Sequence, residues 1–366
     1  MPLAQVDDKG TQIYYEDTGI PLNAKSYSTL FIIHGGIWNG GIFQRMTQYS
    51  AGNSIRIVRL NQRNVLPSTP FTPEELQSFS TSDRVVHESF IRDRALEYVR
   101  FFCWFIEKED LPPLDGESGG ISIMSWSSGN CFTISLLAFA EWLPKKTAEF
   151  LNGYIRSFIL FDAPYYVFGE PVPPVDVLYS PFEDPSLSHS ERLKQFPRWN
   201  ASYHSHAPEI IALYSPTTTL DSMPTREEII SSLGKVPDSI PSPTTDRIPQ
   251  EQVESLKQSI GSFCPSGAPA FAIFLDREMY RSLTDHALLE TSTVWPRCRV
   301  EVVVCERSLP HCVHGNLELK RRILKAEKDG VRNGARNVRF WLLEGYNHYP
   351  HWEDPEKFTK FVAGIL

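Results

Sequence analysis

Gly120-Ile-Ser-Ile-Met-Ser125-Trp-Ser127-Ser-Gly129-Asn130 is the stretch that decides how this chain folds. A short β-rich run passes within a few residues into apolar positions at helical spacing, from Asn130 to about Leu151. A strand that turns so abruptly into a helix brings two backbones together. Positions two before and two after the turning residue must then be small, and Ser125 and Gly129 are. Such a turn lifts the Ser127 hydroxyl to the carboxyl end of its strand, where ligands bind in open α/β sheets. A serine-rich N-cap ahead of the helix would leave the same letters.

The same rhythm extends outward on both sides. Residues 11–17 read as an early strand. Ser28-Thr-Leu-Phe-Ile-Ile33 is a continuous apolar run stopped by His34-Gly-Gly36, as expected of a strand buried on both faces. Residues 54–60 alternate as a strand, 84–107 read as a long helix, and Ser157-Phe-Ile-Leu-Phe161 as the next strand. Strands alternating with helices predict an α/β fold with a mostly parallel sheet flanked by helices. After residue 163 prolines fall at 164, 171, 173, 174, 181 and 185, strand patterns stop, and short helices are expected at 190–196, 208–213, 225–233 and 249–260. The α/β pattern returns with a strand at 299–305, a helix at 316–332, a strand at 338–343 and a closing helix at 354–366. The organisation expected is a core over 1–163 and 291–366, with a helical cap over 164–290 inserted after the sixth strand.

Composition narrows the function. The chain has 366 residues, 41% hydrophobic and 22% charged, which excludes disorder of the whole and fits one large or two ordinary domains. Lys plus Arg is 36 against 44 for Asp plus Glu, a net −8, unlike the clustered positive charge that nucleic acid requires. No apolar run is long enough to span a bilayer, so no membrane partner is expected. The first residues lack a basic and apolar leader, and a cytoplasmic location is expected. Six cysteines, at 103, 131, 264, 298, 305 and 312, are scattered without a C-x-x-C pair and read as reduced thiols. The sequon Asn200-Ala-Ser202 carries little weight without a leader.

Two further motifs join the serine turn. Gly345-Tyr-Asn-His348-Tyr-Pro-His-Trp-Glu353 follows the last expected strand. A serine nucleophile needs a base brought from elsewhere in the fold, and a histidine after the final strand satisfies the order serine, acid, histidine. His351, three residues on, competes, but should lie beside the helix start and turn away. His34-Gly-Gly36 closes an early strand, and a glycine-rich turn there can aim N–H groups at a developing oxyanion. It can equally be an ordinary strand-to-helix turn. His204-Ser-His206 and the His311, Cys312, His314 group lack further ligands nearby, so no metal is expected. No dinucleotide fingerprint, P-loop or His-Glu-x-x-His is present, so no cofactor is implied.

Together these motifs resemble the α/β-hydrolase superfamily, in its capped serine hydrolases of a fungal type. The run His348-Tyr-Pro-His-Trp-Glu353-Asp-Pro355-Glu-Lys-Phe358 is similar to that family's Gly-x-x-His-Phe-Pro-x-x-Glu-x-Pro-x-x-Phe, and Asn61-Gln-Arg63-Asn resembles its Asp-x-Arg-Gly loop with the Asp and glycine lost. The resemblance implies a Ser-His-acid triad with Ser127 and His348, and an oxyanion hole from the N–H groups of Gly36 and Ser128. The family's acid follows the seventh strand, but here Ser308 stands at that place. Two carboxylates can take the role. Glu306 is close to the usual position, and Asp162 ends the sixth strand, where some members carry it. The vacated look of Ser308 favours Asp162.

Trp38, Trp126, Tyr165, Tyr166, Tyr346 and Tyr349 fall beside these motifs and imply an apolar, aromatic-lined pocket under a lid, although each alone reads as packing. The function expected is hydrolysis of a carboxylic ester or lactone of an apolar small molecule through an acyl-enzyme. Acyl transfer or carbon–carbon hydrolysis on the same triad, and a low-turnover ligand-binding protein, are the alternatives. Epoxide hydrolase and dehalogenase chemistry is disfavoured, because those relatives carry Asp where Ser127 stands. Substrate identity and oligomeric state are left open by the sequence.

Overall fold

The computed structural model describes residues 2–22, 24–116, 118–171, 173–257 and 271–366. Cys264 and the end of the helix expected over 249–260 lie outside the described residues. Eight strands form one sheet: β1 (Leu3–Gln5), β2 (Gln12–Asp17), β3 (Ser28–Ile33), β4 (Ile55–Leu60), β5 (Ile121–Trp126), β6 (Ile155–Phe161), β7 (Arg299–Cys305) and β8 (Asn337–Leu343). Their spatial order is β1-β2-β4-β3-β5-β6-β7-β8. β1, β2 and β4 pair antiparallel, and β4, β3, β5, β6, β7 and β8 pair parallel. The three-residue β1 pairs at the edge through Leu3 to Gln5 and is too short to show in a pattern.

The central strands β3, β5 and β6 are buried along their whole length, which is why they read as unbroken apolar runs. Successive side chains still go to opposite faces. Phe31, Ile33, Ile123, Phe158 and Leu160 enter one core with the helices α1 (Arg84–Glu109) and α2 (Asn130–Ala138). Leu30, Ile32, Met124, Ile159 and Phe161 enter the other, with the segment Gly40–Tyr49 and the closing helix. The first core is dense in aromatics. Phe105 meets Tyr15 and Phe31 edge-on at 5.6 and 5.3 Å between ring centres, and the Arg56 guanidinium lies 5.0 Å over its face. Arg56, itself buried, is held by the carboxylates of Asp17 and Glu109.

The helix expected over Asn130 to Leu151 is broken. α2 stops at Ala138, a short turn follows over Phe139–Trp142, and α3 (Lys145–Asn152) restarts after Pro144, which lacks the N–H that continuation needs. Between β6 and β7 the described residues contain no strand. The longest helices there are α4 (His189–Asn200), opened by a Ser188–Glu191 capping box, and α5 (Arg277–Leu288). α5 packs on α2, with Met279, Tyr280 and Leu283 in the first core, so the chain rejoins the layers around the sheet before residue 291.

α6 (Pro310–Lys328) begins six residues before the expected 316, with Pro310 in its first turn. Gly315 is no breaker there: a Cβ on it would lie 2.4 Å from the Tyr165 Cα, so glycine lets α6 press against the chain leaving β6. α7 (Pro355–Ile365) closes the fold. No helix among the described residues is long and apolar enough to cross a membrane.

The aromatic cluster sets a stability expectation. Phe105→Ala should cost about 3–5 kcal/mol, because it opens a cavity in a fully packed layer. Leu22→Ser, at an 82% exposed position, should stay within about 0.5 kcal/mol. Urea midpoints at unchanged slope measure both, and a Phe105→Ala midpoint equal to that of the parent would refute the packing account.

Candidate active site

Ser127 occupies the turn between β5 and α2 at a φ of 54°, a left-handed conformation that side chains rarely adopt. Three constraints hold it there. A Cβ on Gly35 would lie 2.8 Å from Ser127 Cβ, and one on Gly129 only 2.4 Å from the His34 carbonyl oxygen, so the turn and the end of β3 interlock through two glycines. Ser125 reaches across the crossing to hydrogen-bond Thr133 of α2. Asn130 donates its amide to the Ser127 carbonyl at 2.8 Å and to the Phe161 carbonyl at 3.0 Å, tying the turn to the end of β6. The glycine that makes the close approach is Gly35; Gly36 follows it, and Ser128 follows Ser127 as a buried residue.

His34 at the base of this turn is fully buried. It accepts from the Gln62 N–H at Nε2 (3.1 Å), and its Nδ1 faces the Gly35 carbonyl at 2.7 Å. Burial pushes its pKa down to about 4, so it is a neutral structural imidazole.

Asp162 follows β6, also at a positive φ of 49°. Its N–H donates to the Val303 carbonyl at 2.7 Å, which locks it beside β7. Its Oδ1 accepts from the Cys305 N–H at 3.2 Å. Its Oδ2 accepts from the Ser308 hydroxyl and lies 2.5 Å from His348 Nδ1, with both residues fully buried. Glu306 turns the other way. Its carboxylate accepts from the Gly345 N–H at 2.6 Å and borders a groove of about 830 Å³ beside β8 with Lys320, Phe340 and Trp341. Of the two carboxylates weighed for the acid, Asp162 alone meets His348. The reason is local: Ser308 occupies the place after β7 and donates a hydrogen bond to the carboxylate that arrives from β6.

His348 is positioned by its neighbours. Trp126, the residue before Ser127, donates Nε1–H to the His348 carbonyl at 3.1 Å, and its ring lies 4.7 Å from the imidazole. Asn347 donates to the Ala201 carbonyl at 2.9 Å and to the Thr244 hydroxyl at 2.8 Å. Tyr349 accepts from Trp38 Nε1–H at 2.8 Å and donates to Asn200 Oδ1 at 2.5 Å. The histidine loop is therefore pinned to the β3 turn on one side and to the end of α4 on the other. Asn200, Asn347 and Ser308 join the site without a sequence signal for their role, apart from the position of Ser308. Asn200 is buried in this relay rather than displayed as a glycosylation site.

His348 Nε2 is buried and has no hydrogen-bond partner among the described residues. His351 is buried too and stacks on Phe43 at 4.3 Å, 4.7 Å from the Trp126 ring. Burial, then the neighbouring His348, hold its pKa well below the ordinary value.

The aromatic set divides. Trp38, Trp126 and Tyr349 are at most 1% exposed and belong to the second core, so their part is to brace the site rather than to line an open pocket. Tyr346 points outward and donates to Asp354 at 2.9 Å. Tyr165 is buried, with its hydroxyl on Glu183 at 3.0 Å. Tyr166 stands next to Ser128, Cys131 and Cys312, with its pKa raised chiefly by burial.

Among the described residues one trio of ligating side chains lies together, Asp162, Cys312 and His348. Its groups are already committed to one another. Asp162 holds His348 and Ser308, while the Cys312 thiol donates to the Asp162 carbonyl at 3.3 Å and is kept protonated by burial and by the Asp162 charge. This donor set fits an acid–base pair and not a metal site. His204 and His206 are likewise engaged, with Nδ1 of His204 on the Gly234 carbonyl at 3.0 Å and Nε2 of His206 on the Ser308 carbonyl at 2.8 Å.

No protein-family model and no curated protein matches the sequence. Solved structures do match. An esterase from Exiguobacterium antarcticum is 14% identical, with 99% of this chain and 98% of that one aligned at a TM-score of 0.50. Est816, described as an N-acyl homoserine lactone degrading enzyme, is 13% identical over 100% of both chains at a TM-score of 0.51. At such identities the likeness is one of fold, and the fold is that of the α/β hydrolases.

The buried histidines set a pH dependence. Burial lowers His34 and His204 to about 4 and His311 and His314 to about 3, against an unfolded value near 6.5. Above pH 6.5 both states hold them neutral and stability is unaffected. Below it the unfolded chain binds more protons, so stability falls with pH, by up to about 1.4 kcal/mol per unit for each histidine. Melting temperatures should be level between pH 7 and 8, below the range of the buried thiols, and drop steeply from pH 6.5 toward 4. A level profile down to pH 5 would contradict the burial of these groups as neutral imidazoles.

Proposed function

We propose that this α/β-hydrolase-fold chain is a serine hydrolase that cleaves a carboxylic ester or lactone of a largely apolar small molecule through an acyl-enzyme. The observation that carries the reading is the buried Asp162–His348 hydrogen bond, braced by Trp126 directly beside the left-handed turn at Ser127. A carboxylate on Nδ1 fixes the imidazole tautomer with Nε2 free to act as a base.

In this reading Ser127 Oγ attacks the carbonyl carbon while His348 Nε2 takes its proton. The carbonyl π bond opens to an oxyanion, which accepts from the Gly36 and Ser128 N–H groups. Expulsion of the alkoxide forms the acyl-enzyme, and the imidazolium gives its proton to the leaving oxygen. Water, deprotonated by the same histidine, then attacks the acyl carbon, and the imidazolium returns that proton to Ser127 Oγ as the acyl–oxygen bond breaks and the acid departs. Asp162 supports the imidazolium throughout. Ser127 stores strain of order 1–3 kcal/mol in its backbone, as residues held ready for chemistry often do.

The inserted segment acts as a lid in this reading, over residue 164 up to the point where α5 joins the core. Its ties to the histidine loop through Asn200, Ala201 and Thr244 give it a direct route to the base. Limited proteolysis should nick 171–189 before any site within 121–161, and early cleavage inside 121–161 would contradict this division.

A fluorophosphonate should label Ser127 in the parent and leave Ser127→Ala unlabelled, with kcat on p-nitrophenyl butyrate reduced on the order of 10⁴-fold or more. Labelling that persists in Ser127→Ala would overturn the assignment, and absence of turnover in the parent would favour a ligand-binding role. Asp162→Asn should lower kcat by up to ~10⁴-fold, since the amide selects the wrong tautomer, while Glu306→Gln should stay within about tenfold. Equal losses in the two variants would remove Asp162 from its role.

A further inference from the structure

Beside the proposed triad, at the junction of α4 and α6, sits a second set of buried polar atoms that the mechanism does not use. Trp199 Nε1, His204 Nε2 and both ring nitrogens of His311 are buried and without a partner among the described residues. They form one group. The Trp199 ring lies 5.2 Å from His311 and 6.3 Å from His204, and His311 lies 5.6 Å from Tyr165.

The group adjoins the acid. Trp199 packs with Leu309 and Cys312, and the Cys312 thiol donates to the Asp162 carbonyl. His206, two residues beyond His204, holds the carbonyl of Ser308, whose hydroxyl is on Asp162. His348 Nε2, the atom that must meet the reacting oxygen, is buried and unpartnered in the same way.

The chemistry of the set can be read atom by atom. Burial keeps His204 and His311 neutral at pH 7. His204 gives its Nδ1–H to the Gly234 carbonyl, so its Nε2 carries a bare lone pair. Trp199 offers an N–H and nothing else. A neutral His311 offers one N–H and one lone pair. The set thus presents both donors and acceptors and no charge. Leaving such groups unmade costs stability in the free protein, and each variant with an apolar side chain there would avoid that cost. A carboxylate or phosphate would find too few donors and a repelling lone pair, and a hydrocarbon would leave every nitrogen unmade. A hydroxyl group carries both functions these atoms lack, an acceptor for an N–H such as that of Trp199 and a donor for a lone pair such as that of His204 Nε2.

We propose that Trp199, His204 and His311 form a subsite for a hydroxyl group on the substrate, so that the ester cleaved at Ser127 is a hydroxylated one. The proposal rests on the hydrolase reading for the position of the reacting bond. The hydroxyl can belong to the acyl chain or to the alcohol, and the test separates the two.

One arm compares p-nitrophenyl 3-hydroxybutyrate with p-nitrophenyl butyrate. The other compares 2-hydroxyethyl butyrate with ethyl butyrate by titration of released acid. In one arm kcat/KM should favour the hydroxylated ester on the order of 10²-fold, because the analogue that lacks the hydroxyl leaves a buried N–H and a buried lone pair unmade. Trp199→Phe keeps a ring and removes the N–H, and His311→Phe removes two nitrogens. In both variants the ratio should fall toward one. A purely structural role would lower both esters alike and leave the ratio unchanged, which would overturn the proposal, as would a parent with no preference in either arm.

If the parent turns over no ester, the hydrolase reading has failed, and binding then decides the subsite by itself. Either ethyl 3-hydroxybutyrate or 2-hydroxyethyl butyrate should raise the melting temperature of Ser127→Ala more than ethyl butyrate does, and Trp199→Phe should erase the difference. Equal shifts, or none, for both esters would overturn the subsite.

Discussion

The Asp162 carboxylate is the junction on which the site is built. A buried charge is tolerated only where its lone pairs are taken up, and here three different segments supply the donors. The Cys305 N–H comes from the end of β7, the Ser308 hydroxyl from the loop beyond it, and the His348 imidazole from the loop after β8. Removing the negative charge would loosen all three at once. The carboxylate therefore ties three segments together in the same act that orients the His348 imidazole, and the residue is held in a left-handed conformation with its own N–H fixed to β7.

Backbone proximity plays the matching part for the serine. The turn at Ser127 is left-handed because β3 presses on it from one side, and that approach is possible only where Gly35 and Gly129 lack side chains. Strain at one residue is offset by packing spread over many. The fully buried strands β3, β5 and β6 supply the rigid frame against which such a turn holds its shape.

How much of this could be read from letters depends on the range of the interaction. The strands were legible because burial on both faces leaves unbroken apolar runs, and the serine turn because its spacing demand is local. Asp162 could be weighed against Glu306 because a serine stands at position 308. The pause between α2 and α3 shows in Pro144 only once the helix register is known, and the start of α6 was hidden because Gly315 resembles a breaker while serving a contact with Tyr165. The relay from Trp38 through Tyr349 to Asn200 spans more than three hundred residues of chain and has no pattern of its own. The same holds for the split of the aromatic set, since Trp38, Trp126 and Tyr349 differ from pocket residues only in what surrounds them.

The Ser308 hydroxyl on Asp162 bears on which substitutions such a site can accept. A second carboxylate at 308 would stand against the first in a buried space, and two like charges there cannot both be ionised. One would have to keep a proton, and the imidazole would then compete with it for the remaining charge. The neutral hydroxyl at position 308 makes the arrangement with a single carboxylate self-consistent, so an acid placed there would be accommodated only together with loss of the one at 162.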